Sequence, residues 1–140
     1  MVDKGFRLTV FTQEKAVLDQ QALSIVAPGS EGYLGVLRDH APLVTRLVPG
    51  KLTVKDLNGD EAVYVVSGGF LEVSRNTVTI LADALERPEE IDATRAEAAA
   101  RRARERLEKR STDLDVDRAE AALRRALNRL KVRRDVLTAR

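Results

Sequence analysis

Apolar and polar residues change rhythm once along this chain, near residue 90. Residues 6–12 alternate, with Phe6, Leu8 and Val10 on one side and Arg7 and Thr9 on the other, which predicts a half-buried strand. Short apolar runs follow at 23–27, 33–37 and 43–48, then at 52–55, 62–67, 70–73 and 77–82. Turn residues separate them: Glu14-Lys15, Pro28-Gly29, the polar loop Arg38–Pro42, Pro49-Gly50 read as a type II turn pair, Asn58-Gly59 read as a type I′ hairpin, Gly68-Gly69, and Ser74-Arg75-Asn76. About eight to ten short strands in some 85 residues predict an antiparallel β-sandwich or flattened barrel.

Beyond Arg87-Pro88-Glu89-Glu90 the period lengthens to three or four, and neither glycine nor proline occurs after Pro88. Residues 92–110 predict a helix with Ala96, Ala99 or Ala100, Ala103 and Leu107 on one stripe. Residues 111–117 interrupt it. Asp117-Arg118-Ala119-Glu120 has the form of a capping box opening a second helix, striped by Ala119, Leu123, Ala126 or Leu127, Leu130 and Leu137. The expected architecture is a β-sandwich domain over residues 1–87 and a two-helix α-hairpin over 88–140. Both stripes are narrow and alanine-rich. At about 25 cal/mol per Å² such a seam gains only a few kcal/mol on closing, while helix propensity stays high. A hairpin of this kind suits a switch between two states.

Charge sharpens the division. The net charge of +2 divides into 9 basic and 11 acidic residues over 1–87, and 15 and 11 over 88–140. Residues 118–140 alone hold 8 basic and 2 acidic. A basic arm points to an acidic partner or a nucleotide. Nucleic acid is disfavoured, because no aromatic residue follows Phe70 and the helices lack a stacking platform. There is no cysteine, so disulfides and thiolate chemistry are excluded. No apolar run approaches the ~20 residues of a membrane span, and the first residues have neither signal nor transit character. Residence in the cytoplasm, or at a membrane through partners and without direct insertion, is the expectation. The single histidine, His40, lies in a polar loop without a cysteine or activated serine beside it, and neither a phosphate loop nor metal-ligand spacing occurs. A non-catalytic chain is expected, with no required cofactor and no metal.

The joint at Ile91-Asp92-Ala93-Thr94-Arg95-Ala96 carries more polar groups than a helix start needs. The plain account is that Asp92 caps the helix and Arg95 lies in solvent. A sharper account notes that Arg95 and Arg102 are seven residues apart, and Arg125 and Arg129 four apart, so each pair shares a helix face. Should the faces converge, four guanidinium groups would repel unless an anion filled the gap. Polyphosphate fits, because arginine forks grip its oxygens bidentately. The carboxylates of Asp92 and Glu86 would accept hydrogen bonds from an adenine amino group.

Several stretches resemble the epsilon subunit of bacterial F-type ATP synthases: Gly32-Tyr-Leu-Gly-Val-Leu-Arg-Asp-His40-Ala-Pro-Leu-Val-Thr45, Pro49-Gly50, Val66-Ser-Gly-Gly-Phe-Leu-Glu-Val73 and Val78-Thr-Ile-Leu-Ala-Asp83. The resemblance spans essentially the whole chain. It implies a central-stalk rotor subunit whose sandwich grips gamma and sits on the membrane c-ring, with the stretch around Glu31, Tyr33, Arg38 and His40 in contact. The hairpin would be a regulatory arm that, extended, engages the alpha and beta subunits and blocks ATP hydrolysis. Ile91–Ala96 resembles the family's ATP-sensing motif, with Glu86, Arg102, Arg125 and Arg129 as companions. By that resemblance ATP is a regulatory ligand that holds the arm down. Tyr33 stands where many members carry Glu, and Arg38-Asp39 where Pro-Gly is usual. The implied location is the cytoplasmic face of the cell membrane, peripheral, within the complex that makes ATP from proton flow.

Overall fold

The computed structural model describes residues 5–13, 15–109 and 113–139, the side chains of 113 and 114 excepted. Eight strands stand among these residues, then a single 3-10 turn and two helices. The strands are β1 (Phe6–Phe11), β2 (Ala16–Ala22), β3 (Ser24–Gly29), β4 (Gly32–Leu37), β5 (Leu43–Lys55), β6 (Glu61–Ser74), β7 (Thr77–Ala82) and β8 (Leu85–Glu86). They hydrogen-bond in the order β2-β1-β7-β6-β5-β3-β4, with β8 beside β6. All pairs are antiparallel except β1 with β7, which run parallel.

One path of pairing makes two layers because β5 and β6 are long and change face midway. In β5, Leu47 is buried while Val44 and Arg46 are exposed; beyond Gly50 the buried positions become Leu52 and Val54. In β6, Tyr64 and Val66 belong to the core, then Leu71 and Val73. The inward parity flips in both strands at the same level, near Pro49-Gly50 and Ser67-Gly68-Gly69, while their register continues unbroken from Leu43↔Val73 to Lys55↔Glu61. Strands β2, β1 and β7 flank one half of this ribbon, and β3 and β4 the other. The core is closed between Phe6, Leu8, Val10, Leu71 and Ile80 on one side and Ile25, Val36, Leu52 and Val54 on the other.

Pro49-Gly50 and Gly68-Gly69, read as turns, are therefore bends inside strands, and Pro28-Gly29, also read as a turn, is the last part of β3, paired with Tyr33 and Gly32. Glycines 68 and 69 have φ of 111° and 137°, conformations open to glycine and costly to other residues. A Cβ on Gly69 would also run into the Leu81 carbonyl oxygen on β7. Pro49 survives mid-sheet because β5 bulges there against β3. Between the pairs Val26↔Thr53 and Gly29↔Leu47 the ladder is irregular, and proline is tolerated where the ladder is already broken.

Other expectations shift in the same way. Strand β2 was not legible, because Ala-Val-Leu-Asp-Gln-Gln-Ala shows no alternation. It is an edge, pinned by Arg7, whose guanidinium meets Asp19 at 3.0 and 3.1 Å. That hydrogen bond holds the Asp19 carboxyl below its usual range. The pair's small contribution is complete at neutral pH and fades as pH falls through the lowered pKa. The hairpin at Asn58-Gly59 exists, but only Gly59 has positive φ. Asp56 closes it instead, its Oδ1 accepting from the backbone N–H of Asn58 and Asp60. The type I′ geometry occurs at Arg75-Asn76, with φ of 49° and 58°.

Residues 87–140 form a second unit. Pro88–Glu90 is a 3-10 turn closed by Arg87 and Glu90, each donating its backbone N–H to the other residue, at 3.1 and 3.0 Å. Helix α1 covers Ala93–Lys109 and α2 covers Asp113–Thr138. The two pack together, and α2 also packs on the 3-10 turn. The seam is Ala96, Ala100 and Ala103 with Ala119, Ala126 and Val132, all buried. Ala100 is more deeply buried than Ala99, and Ala126 rather than Leu127 faces in. The capping box at Asp117 is overturned: Asp117 lies within α2, which is helical from Asp113. Acids at 113, 115 and 117 suit the positive end of this helix, and the local signal at 117–120 was one turn late. Of the expected breaks, Glu14, Arg110, Ser111 and Thr112 lie outside the described residues.

Gly69→Ala is expected to cost about 3 kcal/mol or more, combining a forbidden φ with a backbone clash. Urea unfolding of the full chain measures it. Gly59→Ala, at a position with open space around it, should cost less.

Candidate functional site

The joint folds as its plain account expects. Asp92 Oδ1 accepts the backbone N–H of Arg95 at 3.1 Å, and the Ala96 N–H reaches Asp92 O at 3.0 Å. Asp92 is the N-cap of α1. Ile91 and Ala96 are 5% and 6% exposed, so they pack rather than present side chains to solvent. Arg95 and Arg102 are exposed on α1, and Arg125 and Arg129 half-buried on α2. Because α1 and α2 are closed against each other, both arginine pairs belong to one folded hairpin. Glu86 sits on β8 in the first unit, half-buried, opposite Val65.

A cavity of about 320 Å³ lies elsewhere on the hairpin, lined by Arg106, Lys109, Asp115, Arg118 and Ala119. Arg106 is eleven residues from Arg95, roughly 16 Å along a helix. Its lining mixes signs and belongs to the hairpin's loop end.

The stretch from Glu31 to His40, expected from the resemblance to make partner contacts, is not one loop. Strand β4 runs through it, so Glu31 and Tyr33 stand at one end of that strand and Arg38 and His40 at the other. Six strand residues separate the ends by about 20 Å. At the first end, Tyr33 Oη accepts the Lys51 N–H at 3.0 Å, reaching over β3 to the bulge in β5. Tyr33 supplies an acceptor where the bulge takes Lys51 out of regular pairing with β3. Gly50 has no side chain for the same reason: a Cβ there would lie 2.8 Å from that oxygen and 2.5 Å from Pro28. At the second end, His40 donates its N–H to Leu37 O at 3.2 Å, and its Nδ1 lies 2.7 Å from Ala41 O.

One surface was missed from sequence. Phe11, Leu81 and Phe70 pair in a row across β1, β7 and β6 and are 37%, 55% and 55% exposed. The signal was present in the doublets Val10-Phe11, Ile80-Leu81 and Phe70-Leu71, where alternation demands one polar partner. The three form one exposed apolar row on the outer face of these strands.

Two family models match the chain, the beta-sandwich domain of the ATP synthase Delta/Epsilon chain over residues 5–88 and its long alpha-helix domain over residues 89–133. The chain belongs to the ATP synthase delta/epsilon family. The ATP synthase epsilon chain of Pelotomaculum thermopropionicum is 53% identical over 111 residues, 79% of this chain and 82% of that one. That of Moorella thermoacetica is 52% identical over 106 residues, 76% and 79% respectively. A chain in the Euglena gracilis mitochondrial ATP synthase structure, comprising OSCP, F1 and c-ring, superposes with a TM-score of 0.79 at 28% identity, covering 91% of this chain and 81% of that one. The epsilon-type assignment makes this a central-stalk subunit of ATP synthase, structural rather than catalytic. No helix among the described residues is long and apolar enough to cross a membrane.

Tyr33→Phe keeps the ring and removes the acceptor, so stability should fall by about 1–2 kcal/mol. The check is thermal unfolding against wild type. No change would mean that water serves Lys51 equally well.

Proposed function

We propose that this subunit couples the c-ring to gamma during proton-driven ATP synthesis and restrains ATP hydrolysis through its helical arm, ATP on the folded hairpin relieving the restraint. The observation that carries the reading is the closed hairpin with an alanine seam bearing Arg95, Arg102, Arg125 and Arg129 on its two helices. A small-residue seam contributes little apolar area, so the folded arm is separated from other states by a few kcal/mol. Four guanidinium groups favour a polyanion, and a ligand that binds only the closed form stabilises it by mass action.

In this reading the sandwich meets two neighbours. The apolar row Phe11–Leu81–Phe70 suits the burial of a protein surface and is assigned to gamma. The Glu31/Tyr33 end and the Arg38/His40 end are assigned to c-ring and stalk contacts. The basic arm is assigned to acidic surfaces of alpha and beta. The subunit then lies on the cytoplasmic face of the membrane, held there by the complex. ATP acts as a signal, and its chemistry is not used.

A second reading is favoured by the Asp92 cap itself: a permanently folded adaptor in which Asp92 only starts a helix. Asp92→Asn separates the two, since asparagine caps as well as aspartate but offers an amide where adenine would meet a carboxylate. The sensor reading expects unchanged helix stability with weakened ATP binding by calorimetry on the full chain. Arg95→Ala should weaken binding about tenfold or more. Equal binding by wild type and both variants, or none by any, leaves the adaptor.

The inhibitory arm has its own test. The catalytic head reconstituted with full-length chain should hydrolyse ATP more slowly than with a chain ending near Glu86. Equal rates would remove the arm from the account.

A further inference from the structure

Seven-residue spacing carries the α2 side of the seam from Ala119 to Ala126, both 1% exposed, and then to Arg133. Helix α2 has 26 residues and α1 has 17. In the closed hairpin α2 therefore overhangs the start of α1, and Arg133 lies on the overhang, where the row of alanines ends. Arg133 is half-buried. Its Nε is fully enclosed and has no hydrogen-bond partner among the described residues.

The nearby carboxylates are committed elsewhere. One turn away on α2 stand Arg129, Leu130, Val136 and Leu137, with no acid among them. Asp135 meets Arg134 at 3.4 Å. At the start of α1, Asp92 Oδ1 accepts the Arg95 N–H and Glu90 Oε1 the Arg87 N–H, and Glu89 is engaged as well. A guanidinium does not shed its charge by deprotonating. The closed arm without ligand thus encloses a donor of a charged group that neither water nor protein satisfies, and such a donor opposes the state that buries it. Opening the hairpin returns it to water. An acceptor oxygen delivered to it removes the penalty without opening. Arg125, Arg129 and Arg133 follow at four-residue spacing, so they form one row on α2. Arg133 extends that row by about 6 Å.

We propose that Arg133 couples ligand to closure: without a partner in the ligand-free closed arm it biases the hairpin toward opening, and a phosphate oxygen of a polyphosphate held by Arg125 and Arg129 accepts its Nε–H and cancels the bias. This rests on the reading of the hairpin as an ATP sensor. It adds a residue outside Ile91–Ala96 and its companions, and it gives that residue opposite effects in the empty and the filled arm.

The test uses the full chain, with hydrogen exchange along α1 and α2 in the absence of ATP and calorimetry of ATP binding. Arg133→Leu keeps a side chain that fits a seam and removes the enclosed donor. Without ATP, exchange in both helices should slow about fivefold or more. ATP affinity should nevertheless fall about tenfold or more, and its dependence on ionic strength should lessen. Loss of packing alone does not produce this pair of opposite signs. Arg133→Lys keeps the charge and loses the fork, so it should weaken binding with no gain in protection. Wild-type affinity in Arg133→Leu overturns the proposal, and so does exchange no slower than wild type. Arg95→Ala separates the inference from the reading beneath it. Weakened binding by Arg95→Ala with wild-type binding by Arg133→Leu removes Arg133 and leaves the sensor standing. Absence of ATP binding by the unsubstituted chain removes the sensor, and the coupling role of Arg133 with it.

Discussion

Everything in the sandwich depends on β5 and β6 bending together without losing register. A strand that alternates strictly can serve only one layer, because its apolar face stays on one side. Here the shared ladder from Leu43↔Val73 to Lys55↔Glu61 crosses from one layer to the other, and the buried parity flips where Gly68 and Gly69 take positive φ. The bend has a cost on the opposite side: β5 bulges against β3 and takes Lys51 out of regular pairing. Tyr33 meets that cost with its hydroxyl, and Gly50 leaves room for it. A residue read as a partner contact is thus also part of the bend.

This explains which features were legible. Alternation at Phe6, Leu8 and Val10, and at Val78 and Ile80, follows from one-sided burial and was readable directly. Pro49-Gly50 and Gly68-Gly69 carry the same residue types whether the chain reverses or bends. Only the long-range pairing decides between them, and it is invisible to a local pattern. Strand β2 was hidden for another reason: an edge strand packs only in part, so Asp19, Gln20 and Gln21 obscure its period. The start of α2 was misplaced because acids recur at 113, 115 and 117, and any of them reads as a cap.

The candidate site divides along the same line. Residue identity identified Ile91–Ala96 and the four arginines, and the helical period placed them in pairs. Spacing alone could not distinguish Asp92 as a cap from Asp92 as a ligand, and the geometry shows the cap. The two roles are compatible, because Oδ1 serves Arg95 N–H and a carboxylate has further lone pairs. The β4 stretch behaves oppositely. The resemblance joined Glu31, Tyr33, Arg38 and His40 in one contact stretch, whereas β4 between them sets the two pairs at opposite ends of a strand. Asp39 and Asn76, far apart in sequence, are the pair that touch.

The hairpin's energetics set the scale on which any signal must act. Its seam uses alanine at five of the six buried positions, with Val132 the exception. Converting those alanines to leucine would deepen the closed state by roughly 1–2 kcal/mol each if the helices could move apart to admit them. A ligand at a hundred times its dissociation constant contributes about 2.7 kcal/mol. Those magnitudes are comparable only because the seam is poor. A leucine seam would hold the arm closed whatever the ligand concentration, and a polar seam would not close at all. In the proposed sensor reading, the small residues are what keep the hairpin within reach of a nucleotide, and the arginines are the charge through which it would act.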